Sequence, residues 1–158
     1  MNRSLIITLV VLMVASAAQA EHFNITLSVQ GAHDRAEAHS DNDPPPQGLN
    51  PRPVCHARAN EELTFQFILT SNFPHGTKKG VTIRYFIVPQ KRAGTKESPR
   101  VDQTVTEGTF LMDFKPDGRV GIRQRLRIER RGDYLVRVQS EHSDSDHEHF
   151  AALDLVIE

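Results

Sequence analysis

Between Glu141 and His149 the chain reads Glu-His-Ser-Asp-Ser-Asp-His-Glu-His, its densest run of metal-ligating and titratable side chains. Folded as a hairpin around Ser143 to Asp146, this run sets His142 opposite His147 and Glu141 opposite Glu148. Directly opposed residues hold their Cβ atoms ~5 Å apart, close enough for two imidazoles to share an ion. His147 and His149, two apart on one strand, point to the same side. Imidazole with carboxylate suits Zn or Cu(II), so His142, His147, Glu148 and His149 form the candidate metal set. The competing reading is an exposed polar hairpin with one His bonded to backbone. The helical HExxH spacing is absent, and Asp144-x-Asp146 lacks the Gly turn and distal Glu of an EF-hand loop.

Three other groups of residues invite chemistry. Arg123, Arg125 and Arg127 alternate along one strand face, where they would hold an acidic ligand such as a glycan or phosphate, or simply solvate a sheet and pair with Glu62 of a neighbouring strand. Cys55-His56 is half of a haem attachment motif, but Pro53 and Val54 stand where its first Cys would be. The single Cys closes no intrachain disulfide; a buried small residue on a strand is the reading preferred over a metal ligand or an intermolecular bridge. Ser, His and Asp are plentiful, yet no Gly-x-Ser-x-Gly elbow is present. The sequence therefore names no catalytic residue and no certain cofactor.

These residues need a scaffold, and the periodicity supplies one. Phe23 to Gln30 alternates apolar and polar residues, as do Glu62 to Thr70 and Arg119 to Glu129. Val81 to Val88 is apolar on both faces, which suits a central strand. Thr104 to Phe114, Tyr134 to Ser140 and Phe150 to Ile157 complete about seven strands, separated by turns such as Lys115-Pro116-Asp117-Gly118. The stretch 31–53 holds Pro44-Pro45-Pro46, Pro51 and Pro53 with Leu49 as its lone large apolar residue, so it reads as a flexible surface insertion. No convincing amphipathic helix appears. The pattern predicts an all-β, antiparallel two-sheet sandwich in a single domain spanning 21–158.

Arg131-Gly132-Asp133-Tyr134-Leu135-Val136-Arg137-Val138 resembles the penultimate strand of immunoglobulin-like and fibronectin-type-III-like sandwiches. The resemblance implies that the Tyr134 hydroxyl ties back to the chain just upstream. The inter-sheet disulfide and core Trp of antibody domains are absent, and such folds mostly bind rather than catalyse.

Residues 1–20 look like an export signal: Arg3, the apolar run Leu5 to Val14, and the small residues Ala17-Ala18-Gln19-Ala20. Cleavage there would begin the mature chain at Glu21-His22, a further copper-type ligand pair, and would leave no membrane span. The protein is then periplasmic or extracellular. With 19 Lys and Arg against 20 Asp and Glu, there is no global field to attract nucleic acid. Yet the charge is divided along the chain: from Gln139 onward there are acidic residues and His but no Lys or Arg. The expected function is an exported, non-catalytic Ig-like binding module for an unknown protein or small ligand, contacting it through the loops around Glu141 to His149. The alternative is an exported Cu- or Zn-binding protein of the same fold.

Overall fold

The computed structural model describes residues 23–40, 52–72, 76–94, 103–141 and 149–158. They form nine strands: β1 (Phe23–Gln30), β2 (Arg35–His39), β3 (Val54–Ala57), β4 (Glu62–Ser71), β5 (Lys78–Gln90), β6 (Thr106–Phe114), β7 (Arg119–Arg127), β8 (Gly132–Glu141) and β9 (His149–Ile157). A four-stranded sheet runs β2-β1-β4-β7, and a five-stranded sheet runs β3-β9-β8-β5-β6. Every neighbouring pair is antiparallel except β3 and β9, which are parallel. The protein is a two-sheet β-sandwich, as the alternating pattern predicts.

Alternation decides what each strand buries. From β1, Phe23, Ile25, Leu27 and Val29 turn inward, and from β4 Leu63, Phe65, Phe67 and Leu69 do the same. They meet Val81, Ile83 and Ile87 of β5, Val136 and Val138 of β8, and Leu153 and Leu155 of β9. Tyr85 packs on Phe65 and Phe67 with ring centroids 5.6 and 5.7 Å away. Its ring lies flat across β6, where Gly108 is needed because a Cβ there would come within 2.4 Å of Tyr85. The phenol reaches the opposite sheet and accepts a hydrogen bond from Gln124 Nε2 at 2.8 Å.

Nine strands replace the expected seven. The two additions are short edge strands, β2 and β3. The stretch 31–53 is thus not wholly a surface insertion: Arg35–His39 pairs along β1 and buries Ala36 and Ala38. Its inward residues are small, so they carry little of the hydrophobic signal by which a strand is recognised. Residues 41–51 lie outside the described residues. Tyr134 makes the corner that the resemblance implies, its hydroxyl donating to the Arg130 carbonyl at 2.6 Å. Burial pushes the pKa of that phenol above its usual value, so it ionises less readily.

The outer face of the five-stranded sheet carries a second, smaller apolar group of Phe86, Val88, Leu135 and Ala152. Beside it lies a buried polar lock. Asp154 Oδ1 accepts from Arg52 Nε at 3.0 Å and from Gln90 Nε2 at 2.7 Å, while Oδ2 accepts from the Gly94 amide at 2.7 Å. The two charged side chains are 4% and 1% exposed. A carboxylate so deeply buried is tolerable because its oxygens are this fully engaged. No helix among the described residues is long and apolar enough to cross a membrane.

Candidate functional site

Of the expected metal set, only His149 falls within the described residues; His142, His147 and Glu148 lie outside them, as do Asp144, Asp146, Glu21 and His22. His149 opens β9 opposite Ser140. Its side chain turns inward and is 8% exposed, with its ring edge-on to Phe23 at 6.4 Å. Glu141, one residue beyond Ser140, is exposed on the other side of the sheet, where Gln139 Nε2 donates to its Oε1 at 2.8 Å. Strand alternation therefore holds Glu141 and His149 on opposite faces. Among the described residues no three His, Cys, Asp or Glu side chains are grouped as metal ligands.

The other candidates are placed as follows. Cys55 is completely buried on β3, and burial, seconded by the charge of Asp34, pushes its thiol up to about 11. A thiol so rarely ionised is a packing residue rather than a nucleophile. The arginines of β7 line the outer face of the four-stranded sheet, with Arg125 and Arg127 3.6 and 3.7 Å from Glu62, the partner expected from the sequence. His56 and Asp34 sit at the opposite end from His149. The Asp34 carboxylate accepts the amides of His56 and Arg35, and Glu61 those of Ala32 and Arg58; these bonds hold both carboxyls below their ordinary range. They are clamps between turns.

What sequence reasoning did not single out is a shallow, open depression on the outer face of the five-stranded sheet. Thr82 and Arg84 of β5, Glu107, Gly108 and Thr109 of β6, and Glu141 of β8 line it. The register explains the gathering: Thr82 stands opposite Glu141, and Arg84 is flanked by Thr109 and Gln139. Arg84 Nη2 lies 4.0 Å from Glu107, and its guanidinium sits 5.6 Å from the Phe86 ring centre. One strand over, Arg137 lies 4.5 Å above the Phe150 ring. Rings beneath guanidinium groups orient the charge while leaving N–H donors directed outward. The depression thus offers charged donors, carboxylate acceptors and hydroxyls on a rigid sheet. Its sequence signal was present, since the polar residues of β5 fall at alternate positions, but their cross-strand partners are fixed only by register.

Neither a protein-family profile nor any curated protein sequence matches the chain. Among solved structures, it is similar to a chitin binding domain from Burkholderia pseudomallei, with 13% identity and a TM-score of 0.40 over 65% of this chain and 56% of that one. The PmoD soluble domain from Methylocystis sp. ATCC 49242 (Rockwell) gives 11% identity and a TM-score of 0.40 over 82% and 96%. An AA10 LPMO from Photorhabdus luminescens gives 19% identity and a TM-score of 0.36 over 65% and 57%. The chain spans little more than half the length of the first and third of these. Likeness at this level carries no ligand or activity across.

Proposed function

We propose that the protein is an exported, non-catalytic binding module that engages an extended, hydroxyl-rich ligand on the outer face of its five-stranded sheet. The observation that supports this reading is the open depression of Thr82, Arg84, Glu107, Thr109 and Glu141, with donors and acceptors alternating across three strands. Side chains on one face recur every ~7 Å along a strand, a spacing that suits a repeating chain better than a compact molecule. Vicinal hydroxyls pair naturally with a guanidinium on one side and a carboxylate on the other. The depression ends at Glu141, where the loop expected to contact the ligand begins.

The test is a titration of soluble oligosaccharides of neutral and amino-sugar composition against the wild type and a Thr82→Ala/Arg84→Ala variant. Binding weakened at least tenfold in the variant, about 1.4 kcal/mol, is the expected result. Wild-type protein that binds none of the saccharides, or a variant that binds equally well, overturns the reading.

A second reading is Cu or Zn binding by His142, His147, Glu148 and His149. It is supported by the β8–β9 ladder, which runs in register up to Ser140 opposite His149, the pairing that the expected hairpin requires. Stoichiometric Cu(II) or Zn(II) binding by untagged protein, lost in a His142→Ala/His147→Ala variant, would favour it. Equal weak binding by both proteins would end it.

A further inference from the structure

Among the described residues, the flank formed by β6 and β7 is open. Each is the last described strand of its sheet, so each carries a row of main-chain groups that no other described strand pairs. The Ser71 amide bonds the Gly118 carbonyl, so alternation directs the main-chain groups of the odd-numbered residues of β7 away from β4. Side chains that should close the core here do so only in part: Phe110 and Met112 of β6, and Val120, Ile122 and Leu126 of β7, are half-buried. Leu111 is 70% exposed on the outer face of β6. The outer residues of the two edges carry opposite charge, with Glu107 and Asp113 on β6 against Arg119, Arg123, Arg125 and Arg127 on β7.

The geometry points to a second copy of this chain as the occupant of that flank, with β7 of each protomer pairing antiparallel with β6 of its partner around a two-fold axis parallel to the strands. The charges choose this arrangement. Antiparallel pairing of β6 with itself about Phe110 would set Glu107 against Asp113, and pairing of β7 with itself would set arginine against arginine. Pairing β7 with β6 sets unlike charges together.

The register follows as well. The tight turn Lys115 to Gly118 joins β6 and β7 at one level of the sandwich, with the Gly118 amide donating to the Lys115 carbonyl. Rotation about an axis along the strands keeps every residue at its level. On the outer face Arg125 then meets Glu107 of the partner subunit, and Arg119 meets Asp113 of the partner subunit. The exposed Leu111 of the partner subunit falls over Gly121, where no side chain competes with it. On the inner face Ile122 meets Phe110 of the partner subunit, and Val120 meets Met112 of the partner subunit, so both half-buried rows are covered. The four-stranded sheet of one copy becomes continuous with the five-stranded sheet of the other, twice over, and no free edge remains on this flank. Every contact is made reciprocally, so the assembly closes at two copies.

The test uses the full mature chain in sedimentation equilibrium or light scattering over a wide concentration range. A dimer is expected, weakened at least tenfold by Arg125→Glu and restored by Arg125→Glu/Glu107→Arg. A Thr109→Cys/Arg123→Cys variant should form a covalent dimer on oxidation. Within one copy these two residues lie on the outer faces of opposite sheets and cannot bridge; in the dimer they stand opposite each other. A chain that stays monomeric at every concentration overturns the proposal, and so does a dimer indifferent to charge reversal that yields no cross-link. A ladder of covalent species larger than the dimer would contradict the closed two-fold arrangement. The assay holds no saccharide, and the saccharide test varies Thr82 and Arg84, which take no part in the pairing, so either proposal can fail without the other even though Glu107 and Thr109 border both surfaces.

Discussion

On one flank of the sandwich β2 and β3 bring Ala36, Ala38, Cys55 and Ala57 into the core, all of them buried. On the other, β6 and β7 present Phe110, Met112, Ile122 and Leu126, larger side chains that are only partly covered. The first flank is closed because its edge strands pack on each other: β2 belongs to the four-stranded sheet and β3 to the five-stranded one, and only small residues fit where they meet. Among the described residues the second is crossed at one end, by the turn from Lys115 to Gly118. The ion pairs differ in the same sense. Arg52 and Asp154 are sealed beside β3, whereas Arg125–Glu62, Arg127–Glu62 and Arg84–Glu107 beside the open edges are solvent-exposed at 3.6 to 4.0 Å. The closed flank holds the fold together, while the other leaves large apolar residues and complementary charge for the proposed second copy to cover.

The largest effect separating the flanks should come from Asp154→Ala. It leaves the buried Arg52 without this carboxylate and should cost about 3–5 kcal/mol, read from the midpoint of urea unfolding. A loss as small as that of an exposed pair would refute the lock. Next, Ala38→Leu should overfill the closed flank at a cost of about 1–3 kcal/mol. Leu111→Ser on the open flank should leave the monomer's stability nearly unchanged while weakening self-association. Tyr134→Phe, which removes the hydrogen bond to the Arg130 carbonyl, should cost about 1 kcal/mol in the same unfolding assay.

The pH dependence should also divide. Asp34 and Glu61 ionise more readily in the folded chain, so their stabilisation is complete above the ordinary carboxylate range and lost as pH falls through their lowered folded values. Cys55 shifts the other way. Unfolded thiol ionises near 9.0 but folded thiol only near 11, so stability should decline as pH rises between those values. Cys55→Ala should flatten that alkaline decline, which unfolding curves at successive pH values would show. Smallest of all, Glu62→Ala should change stability by no more than about 1 kcal/mol, since its pairs with Arg125 and Arg127 lie in water.

How much of this was legible in the sequence follows the same division. Strands with large alternating residues, β1, β4 and β7, announce themselves, and the pairing of β7 with Glu62 follows from their outer faces. The Tyr134 corner was also readable, because it depends on a short local pattern, and the burial of Cys55 follows from its residue type. The closed flank was not. Arg-Ala-Glu-Ala-His and Val-Cys-His-Ala alternate correctly, but Ala and Cys bury too little area to stand out beside a proline-rich stretch. The Arg52–Asp154 lock joins residues 102 positions apart, and no local pattern reports such a contact. The depression was half legible: its residues are polar positions of recognised strands, but their meeting depends on the order β8-β5-β6. Of the candidate metal residues, only His149 could be followed into the fold, where alternation turns it toward Phe23 and away from Glu141.

Amide hydrogen exchange at low and high protein concentration tests the contrast between the flanks most directly. The outward-facing amides of β6 and β7 should exchange quickly in dilute protein and become protected as concentration rises, while those on the side of β2 away from β1 exchange alike at both. Edge amides of β6 and β7 with the same exchange rate at every concentration would contradict the account, because the open flank would then have no second copy to receive.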